Sequence, residues 1–260
     1  SERPLLGNYG NFNDLVIRER CARDYFLVIG PPGSGKTSQA IRFMVEEELR
    51  TGEGNLLLLA YTNRAVDELC EMLETIIKET PECLSDYVRI GAELSSEEHF
   101  RKRLLTRKCS GLKNVDAVKK LIEETRVFVA TTTAISSQTE LLRHKYFSTA
   151  FIDEASQILE PQLLTLLFSK QEGEHSSIGR FVLVGDQKQL PAVVQQPPAV
   201  SKVTEESLIK IGLGDCRNSL FERLLSLQQK NGSPCVYLLE KQGRMHPELF
   251  QFVNTYFYRN

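Results

Sequence analysis

The chain has 260 residues, 41% of them hydrophobic, and a formal net charge of −2. That length supports one large core, or a core with a small inserted subdomain, and the near-neutral balance excludes a polycation, so a nucleic-acid site has to be local. Six cysteines (Cys21, Cys70, Cys83, Cys109, Cys216, Cys235) lie far apart with no CxxC pair, which argues against a zinc ribbon or a disulfide scaffold and for reduced thiols in a cytoplasmic or nuclear protein. No signal peptide leads the chain and no apolar run approaches the roughly 18 residues of a membrane span, so no membrane partner is expected. A start at Ser1-Glu2-Arg3-Pro4 reads as a soluble piece, an excised domain of something larger.

In chain order the first apolar run is Tyr25 to Ile29, short enough for a buried parallel strand. It breaks into Gly30, Pro31, Pro32, Gly33, Ser34, Gly35, Lys36, Thr37 and Ser38, which fits G-x-x-x-x-G-K-[ST]. Ala40, Ile41, Met44 and Val45 then recur at helical spacing, and Glu46, Glu47 and Glu48 are expected on a wet helix face. Strand, glycine loop and helix together form a phosphate cradle. Glycines let backbone N–H groups close around phosphate oxygens, and the helix N-terminus adds positive potential. Lys36 should reach the β- and γ-phosphates of ATP and the Thr37 hydroxyl should ligate Mg2+.

Further strands are predicted at Asn55 to Ala60, Val127 to Ala130, Ala150 to Ile152, Phe181 to Val184 and Cys235 to Leu239. Between them lie helical patterns: Ala65, Leu69, Met72, Leu73, Ile76 and Ile77; Leu163 to Phe168; and Leu220, Phe221, Leu224 and Leu225. Alternation of this kind predicts an α/β fold, an open and mostly parallel sheet whose ligands bind beyond the carboxyl ends of the strands. Polar clusters stand at those ends: GPPGSGKT, YTNRAVDEL, TTTA, DEAS, GDQKQLP and EKQGRMHP.

Residues 91–126 interrupt the alternation. From Arg101 to Arg126 there are nine Lys or Arg against Asp116, Glu123 and Glu124. The apolar spacing suggests a helical pair or a partly ordered loop, and the charge either tracks strand phosphates or covers a solvated helical surface. A second stretch, 195–206, with Pro197 and Pro198, is expected to be a mobile loop.

In FIDEASQ, Asp153 leaves an apolar strand where its carboxylate could share a magnesium with Thr37, and Glu154 could act as general base on water. An acidic pair capping the next helix is the plainer reading, which the cradle upstream outweighs. Gln189 is a neutral amide able to sense a γ-phosphate. Asp186 either orients it or accepts from a neighbouring helix or loop. Arg244 is a cation placed in the manner of an arginine finger.

The order of these clusters resembles motifs I, Ia, Ic, II, III and IV of superfamily 1 helicases, over roughly residues 20–258. The match is closest to the 5′-to-3′ branch, which contains the nonsense-mediated-decay RNA helicase and the Okazaki-fragment nuclease-helicase. YTNRAVDEL is nearer the wording of the latter, so DNA is favoured over RNA. The resemblance implies the P-loop NTPase fold: one RecA-like three-layer α/β/α lobe over residues 1–260, with residues 91–126 as a small helical insertion. It implies Lys36 and Thr37 on phosphate and magnesium, Asp153 on magnesium, Glu154 on water, and Gln189 and Arg244 at the γ-phosphate. It further implies that Tyr61, Thr62, Asn63, Thr131 and Thr132 contact a single strand of nucleic acid; from the residues alone, the threonines are equally β-rich turn residues.

Two positions depart from the family. The stretch GNYGNFNDLVIRER has no glutamine where the family reads adenine, leaving Asn11 or Asn13 as substitutes, and Gly243 replaces the tyrosine before the motif IV arginine. Such helicases also have a second RecA-like lobe, which is expected outside this chain, so the lobe alone should hydrolyse slowly or not at all. The rival readings are an RNA helicase of the same branch and a nucleotide-switched nucleic-acid binding module that does not unwind. A small-molecule kinase would need a lid and an acceptor pocket, and would not need GDQKQLP and QGRMHP.

Overall fold

The computed structural model describes residues 4–52, 54–186, 188–189, 194, 197–231 and 235–239. Seven strands form one sheet in the order β3-β4-β2-β5-β6-β1-β7, every described pair parallel. They are β1 (Tyr25–Ile29), β2 (Leu56–Ala60), β3 (Val88–Ile90), β4 (Val127–Thr131), β5 (Phe147–Ile152), β6 (Ile178–Gly185) and β7 (Val236–Leu238).

Each strand divides its side chains between two cores because successive residues point to opposite faces. Phe26 and Val28 of β1, with Leu56, Leu58 and Ala60 of β2, face α1 (Asn13–Cys21), α2 (Arg42–Arg50) and α3 (Asn63–Glu79). Leu27 and Ile29, with Leu57 and Leu59, face the other way. There they meet α6 (Thr132–Ser136), α7 (Thr139–His144), α8 (Glu160–Leu167) and α11 (Leu220–Asn231). Both faces are covered, so the strands read as unbroken apolar runs. The three-layer α/β/α expectation holds. Among the described residues no helix is long and apolar enough to cross a membrane.

The acidic run after the cradle is not on a wet face. Glu47 is fully buried and Glu46 is 5% exposed. Glu47 accepts from the backbone of Leu6 (2.9 Å) and Gly7 (3.0 Å), from Tyr9 Oη (2.9 Å) and from Arg20 Nη1 (2.7 Å). Glu46 pairs with Arg50 at 3.0 Å, and Glu48 with Arg180 at 2.6 Å. The segment before α1 lies over α2 and turns its outer face inward, and a buried carboxylate is tolerated when donors surround it. Burial and Glu47 together raise the Tyr9 hydroxyl well above its ordinary pKa.

Edge strand β3 has no counterpart among the predicted elements. It is three residues long and carries Arg89 at its centre, 1% exposed and hydrogen-bonded to Asp67 of α3 and to the Ser95 carbonyl. After it residues 91–126 run through two 3₁₀ turns (Glu93–Ser95 and Glu98–Arg103), α4 (Leu105–Cys109) and α5 (Val115–Glu124). The expected helical pair is present as the short α4 and α5, preceded by the two turns, and Phe100 and Leu104 anchor the segment in the core. Much of its positive charge is answered locally. Arg103 pairs with Glu74 (2.8 Å) and Asp86, Lys108 with Asp86, Arg107 with Glu93, and Lys120 with Glu124 (3.7 Å). Lys145 closes the C-terminus of α5 by donating to the carbonyls of Ile122 (2.7 Å) and Glu123 (3.1 Å).

Within residues 195–206, expected as a mobile loop, α9 (Pro198–Ser201) forms, and α10 (Glu206–Lys210) begins at its end. Cys216 N–H donates to the Ser201 carbonyl (2.9 Å) and Val203 N–H to the Gly214 carbonyl (3.0 Å), pinning the segment.

Candidate triphosphate site and strand-facing edge

Because all seven strands run the same way, their carboxyl ends lie on one edge. The clusters after β4, β2, β5, β6 and β1 therefore stand side by side in that order. The EKQGRMHP cluster, with Gly243 and Arg244, lies outside the described residues.

The cradle after β1 depends on glycine. Gly33 (φ 74°) and Gly35 (φ 77°) are left-handed, a region that costs other residues about 1 kcal/mol or more. At Gly30 a Cβ would stand 2.3 Å from Lys36 Cγ and 2.8 Å from Ser34 Oγ. Lys36 opens a π-helical turn (Lys36–Ile41) whose first bonds run from the N–H groups of Gln39 and Ala40 to the Gly35 carbonyl, both 3.0 Å. Its ammonium donates to the Gly30 carbonyl at 2.8 Å. Burial lowers the Lys36 pKa, while Asp186, Asp153 and Glu154 oppose the shift.

Under the cradle, Thr37 Oγ1 donates to Asp153 Oδ2 at 2.5 Å. Asp153 is 3% exposed, and burial raises its carboxyl against the pull of Thr37, the Glu154 N–H and Lys36. Glu154 has φ 53°, a left-handed conformation unusual for glutamate that turns the chain sharply off β5. Its N–H donates to Asp153 Oδ1 at 2.8 Å. Its own pKa is raised by burial first, then by Asp153 and Glu68, and lowered by Lys36 and Arg64.

Asp186, at the end of β6, does orient Gln189. Its Oδ2 accepts from Gln189 Nε2 at 2.8 Å and its Oδ1 from the Lys188 N–H at 3.0 Å. Ser156 Oγ receives the Asp186 N–H at 3.2 Å, and the Ser156 N–H stands where a Cβ on Gly185 would approach to 3.0 Å. The chain after Glu154 thus rests directly on the end of β6.

A cavity of about 540 Å³ joins Gly33 to Ser38 with Asp153 and Glu154, and extends along α3 past Glu68, Glu71 and Met72. These residues fit a magnesium triphosphate. Ser34 Oγ is buried with no hydrogen-bond partner among the described residues, as a phosphate-facing hydroxyl would be. No cluster of three or more His, Cys, Asp or Glu able to hold a metal occurs among the described residues. One hydroxyl, one carboxylate and phosphate oxygens are the usual company of Mg2+.

Beside β2 and β4 the strand-contact candidates sort themselves. Ala60 and Thr131 are in register, so Tyr61, Thr62 and Asn63 adjoin Thr131. Thr62 caps α3 by accepting from the Ala65 N–H (3.1 Å), and Thr131 caps α6 by accepting from the Ala134 N–H (3.0 Å). Each cap is worth about 1 kcal/mol to its helix. Thr62 and Asn63 are exposed and Tyr61 is half-buried. Thr132 departs from expectation. It is 1% exposed, turned inward in the first turn of α6, and presents no surface to a strand.

A family model described as an AAA domain matches residues 13–126 and 95–197. The chain belongs to that family. Its relatives place it in the branch of superfamily 1 helicases that includes the DNA2-type and nonsense-transcript helicases. It is 30% identical over 94% of its length to the DNA replication ATP-dependent helicase/nuclease JHS1 of Arabidopsis thaliana, of which it spans 16%. It is 24% identical over 97% of its length to the DNA polymerase alpha-associated DNA helicase A of Saccharomyces cerevisiae, spanning 43%. It is 29% identical over 98% of its length to the Regulator of nonsense transcripts 1 homolog of Drosophila melanogaster, spanning 21%. The chain thus covers less than half of each.

Sequence reading of this AAA domain missed several residues near the cavity. Ser156 was within reach as the hydroxyl of DEAS. Glu68, Glu71 and Met72 share the spacing of a helix, but which helix backs the cradle depends on strand order. Of the two candidate glutamine substitutes, Asn13 is committed to local bonds with the Tyr9 N–H (2.8 Å) and Asn8 (3.3 Å). Asn11 instead lines a cavity of about 420 Å³ beside Phe12, Asp14 and β7.

Proposed function

We propose that this chain is a first RecA-like lobe that binds ATP and Mg2+, hydrolyses ATP to ADP and phosphate, and couples this to translocation of a DNA helicase along single-stranded nucleic acid. The observation that carries the reading is the 2.5 Å contact between Thr37 and Asp153 beneath a glycine cradle, with Glu154 beside it. Lys36 and the cradle N–H groups bind phosphate oxygens. Glu154 accepts a proton from water as the oxygen attacks the γ-phosphorus and the bond to the β-phosphate oxygen breaks. Magnesium, when bound, neutralises charge on the phosphates. Gln189, held by Asp186, senses the γ-phosphate, and Arg244 completes the site.

Tyr61, Thr62, Asn63 and Thr131 contact the strand, with DNA favoured over RNA by the wording of YTNRAVDEL and by the replication helicases among the relatives. Residues 1–260 form one lobe and residues 91–126 its insertion; a second lobe supplies further cations, so the lobe alone turns over slowly. A nuclear or cytoplasmic place of action accords with relatives named for DNA replication and for nonsense transcripts. Glu154 favours hydrolysis over the nucleotide-switched binding module, since a switch needs no general base.

The test is titration with a labelled ATP analogue, with and without magnesium, on the chain and on Lys36→Ala, followed by single-stranded DNA and RNA. Magnesium-dependent binding at least tenfold weaker in Lys36→Ala supports the reading. Equal binding by both would sink it.

A further inference from the structure

Helix α3 joins the two candidate sites. It begins at the strand-facing cluster, with Thr62 as N-cap and Asn63 as its first residue, and about a turn further on Glu68 lines the triphosphate cavity. Between them, Arg64 Nε stands 3.8 Å from Glu68 Oε1.

Helix stability does not account for this pair. A cation in the first turn opposes the helix macrodipole. Arginine four residues before glutamate is the weaker order of such a pair. With side chains 90% and 60% exposed, the contact contributes little to folding. Its reach is into the cavity: Glu68 lines the same wall as Asp153 and Glu154, and Arg64 stands beside Glu68 at the mouth of α3.

We propose that Arg64 and Glu68 form a coupling pair through which a phosphate of single-stranded DNA weakens triphosphate binding. The inference rests on the reading above, in which strand and triphosphate share this edge. A strand phosphate beside Tyr61 to Asn63 draws the Arg64 guanidinium away from Glu68. The Glu68 carboxylate is left unneutralised on the cavity wall, facing a site built for an anion. An unneutralised charge at roughly 10 Å in a partly wet cleft changes an anion's affinity about three- to fivefold. Binding linkage is reciprocal, so triphosphate loosens the strand by the same factor.

The experiment is a linkage measurement on the full chain. The affinity of a non-hydrolysable magnesium–ATP analogue is read by calorimetry, alone and with saturating oligo-dT. Wild type should bind about three- to fivefold more weakly with the strand present. Arg64→Ala should be weak in both conditions and Glu68→Gln tight in both, each with a ratio near one, while Arg64→Lys keeps most of the ratio. General damage to the fold would weaken both variants alike, and a thermal melt of each checks it. A wild-type ratio of one, or a ratio that survives Glu68→Gln, overturns the proposal. Triphosphate binding that survives Lys36→Ala would sink the phosphate-site reading itself; a chain that binds no oligo-dT would sink the strand reading and the pair with it.

Discussion

Asp186 shows how much one side chain can organise. Its two oxygens hold Gln189 Nε2 and the Lys188 N–H, and its own N–H is anchored on Ser156, two residues past Glu154. An asparagine there would keep one acceptor and present an amide to another amide, so Gln189 would lose its fixed direction. Asp186→Asn should lower kcat for ATP hydrolysis by about tenfold while the triphosphate Kd changes less than about twofold, because on the proposed reading the lost bond orients a γ-phosphate sensor and does not bind the ground state. Steady-state kinetics beside equilibrium binding separates the two effects. Equal losses in both would mean that Asp186 holds the cradle rather than Gln189. Asp153, Glu154 and Gln189 were legible as residues because carboxylates and an amide after apolar runs are chemically conspicuous. The bonds among them were not, since each spans strands remote in sequence.

At the scale of elements, Arg180 of β6 ties two helices to the sheet. It donates to Glu19 Oε1 of α1 (2.6 Å), Glu48 Oε1 of α2 (2.6 Å) and Thr149 Oγ1 of β5 (3.0 Å). Glu19 is fully buried, and its Oε2 has no hydrogen-bond partner among the described residues. Burial therefore pushes its pKa up to about 8, with Arg180 opposing. For an acid whose folded pKa is raised, the folded chain keeps a proton that the unfolded chain has released between the ordinary value of 4.5 and about 8. This group's contribution to stability consequently falls as pH rises through that window. Glu19→Gln, permanently neutral and nearly isosteric, should lose less stability between pH 6 and pH 8 than wild type does. Urea denaturation at the two pH values measures it, and an unchanged pH dependence would show that Arg180 keeps Glu19 ionised. Elements such as α3 and β2 were legible because one period and one burial pattern run through them. Strand β3 was hidden because Arg89 sits mid-strand, and α1 because its buried face includes Glu19.

For the whole molecule, the decisive feature is that two cores share one sheet. Phe26 and Val28 belong to one core and Leu27 and Ile29 to the other, so neither core survives without the strands of both. Thermal or urea unfolding followed by circular dichroism and by tyrosine fluorescence should give one coincident transition. Separate transitions would mean that the insertion or the segment before α1 unfolds on its own. Phe100 and Leu104 in the core, and Glu47 under the N-terminal segment, argue against that.

Taken by itself, the amino-acid sequence determined the layered α/β class, the strand-end placement of the described polar clusters and the glycine loop between β1 and the helical turn after it, because each rests on local periodicity or on backbone freedom at Gly33 and Gly35. Only the tertiary structure decided which clusters are neighbours, that Glu47 is an internal hub and not a wet surface, that Thr132 is buried, and that Arg103, Arg107 and Lys108 of the basic segment are paired with Glu74, Asp86 and Glu93. The physical reason is common to all four. Burial and charge pairing depend on strand order and on which helix covers which face, and those are set by contacts between residues far apart in the chain.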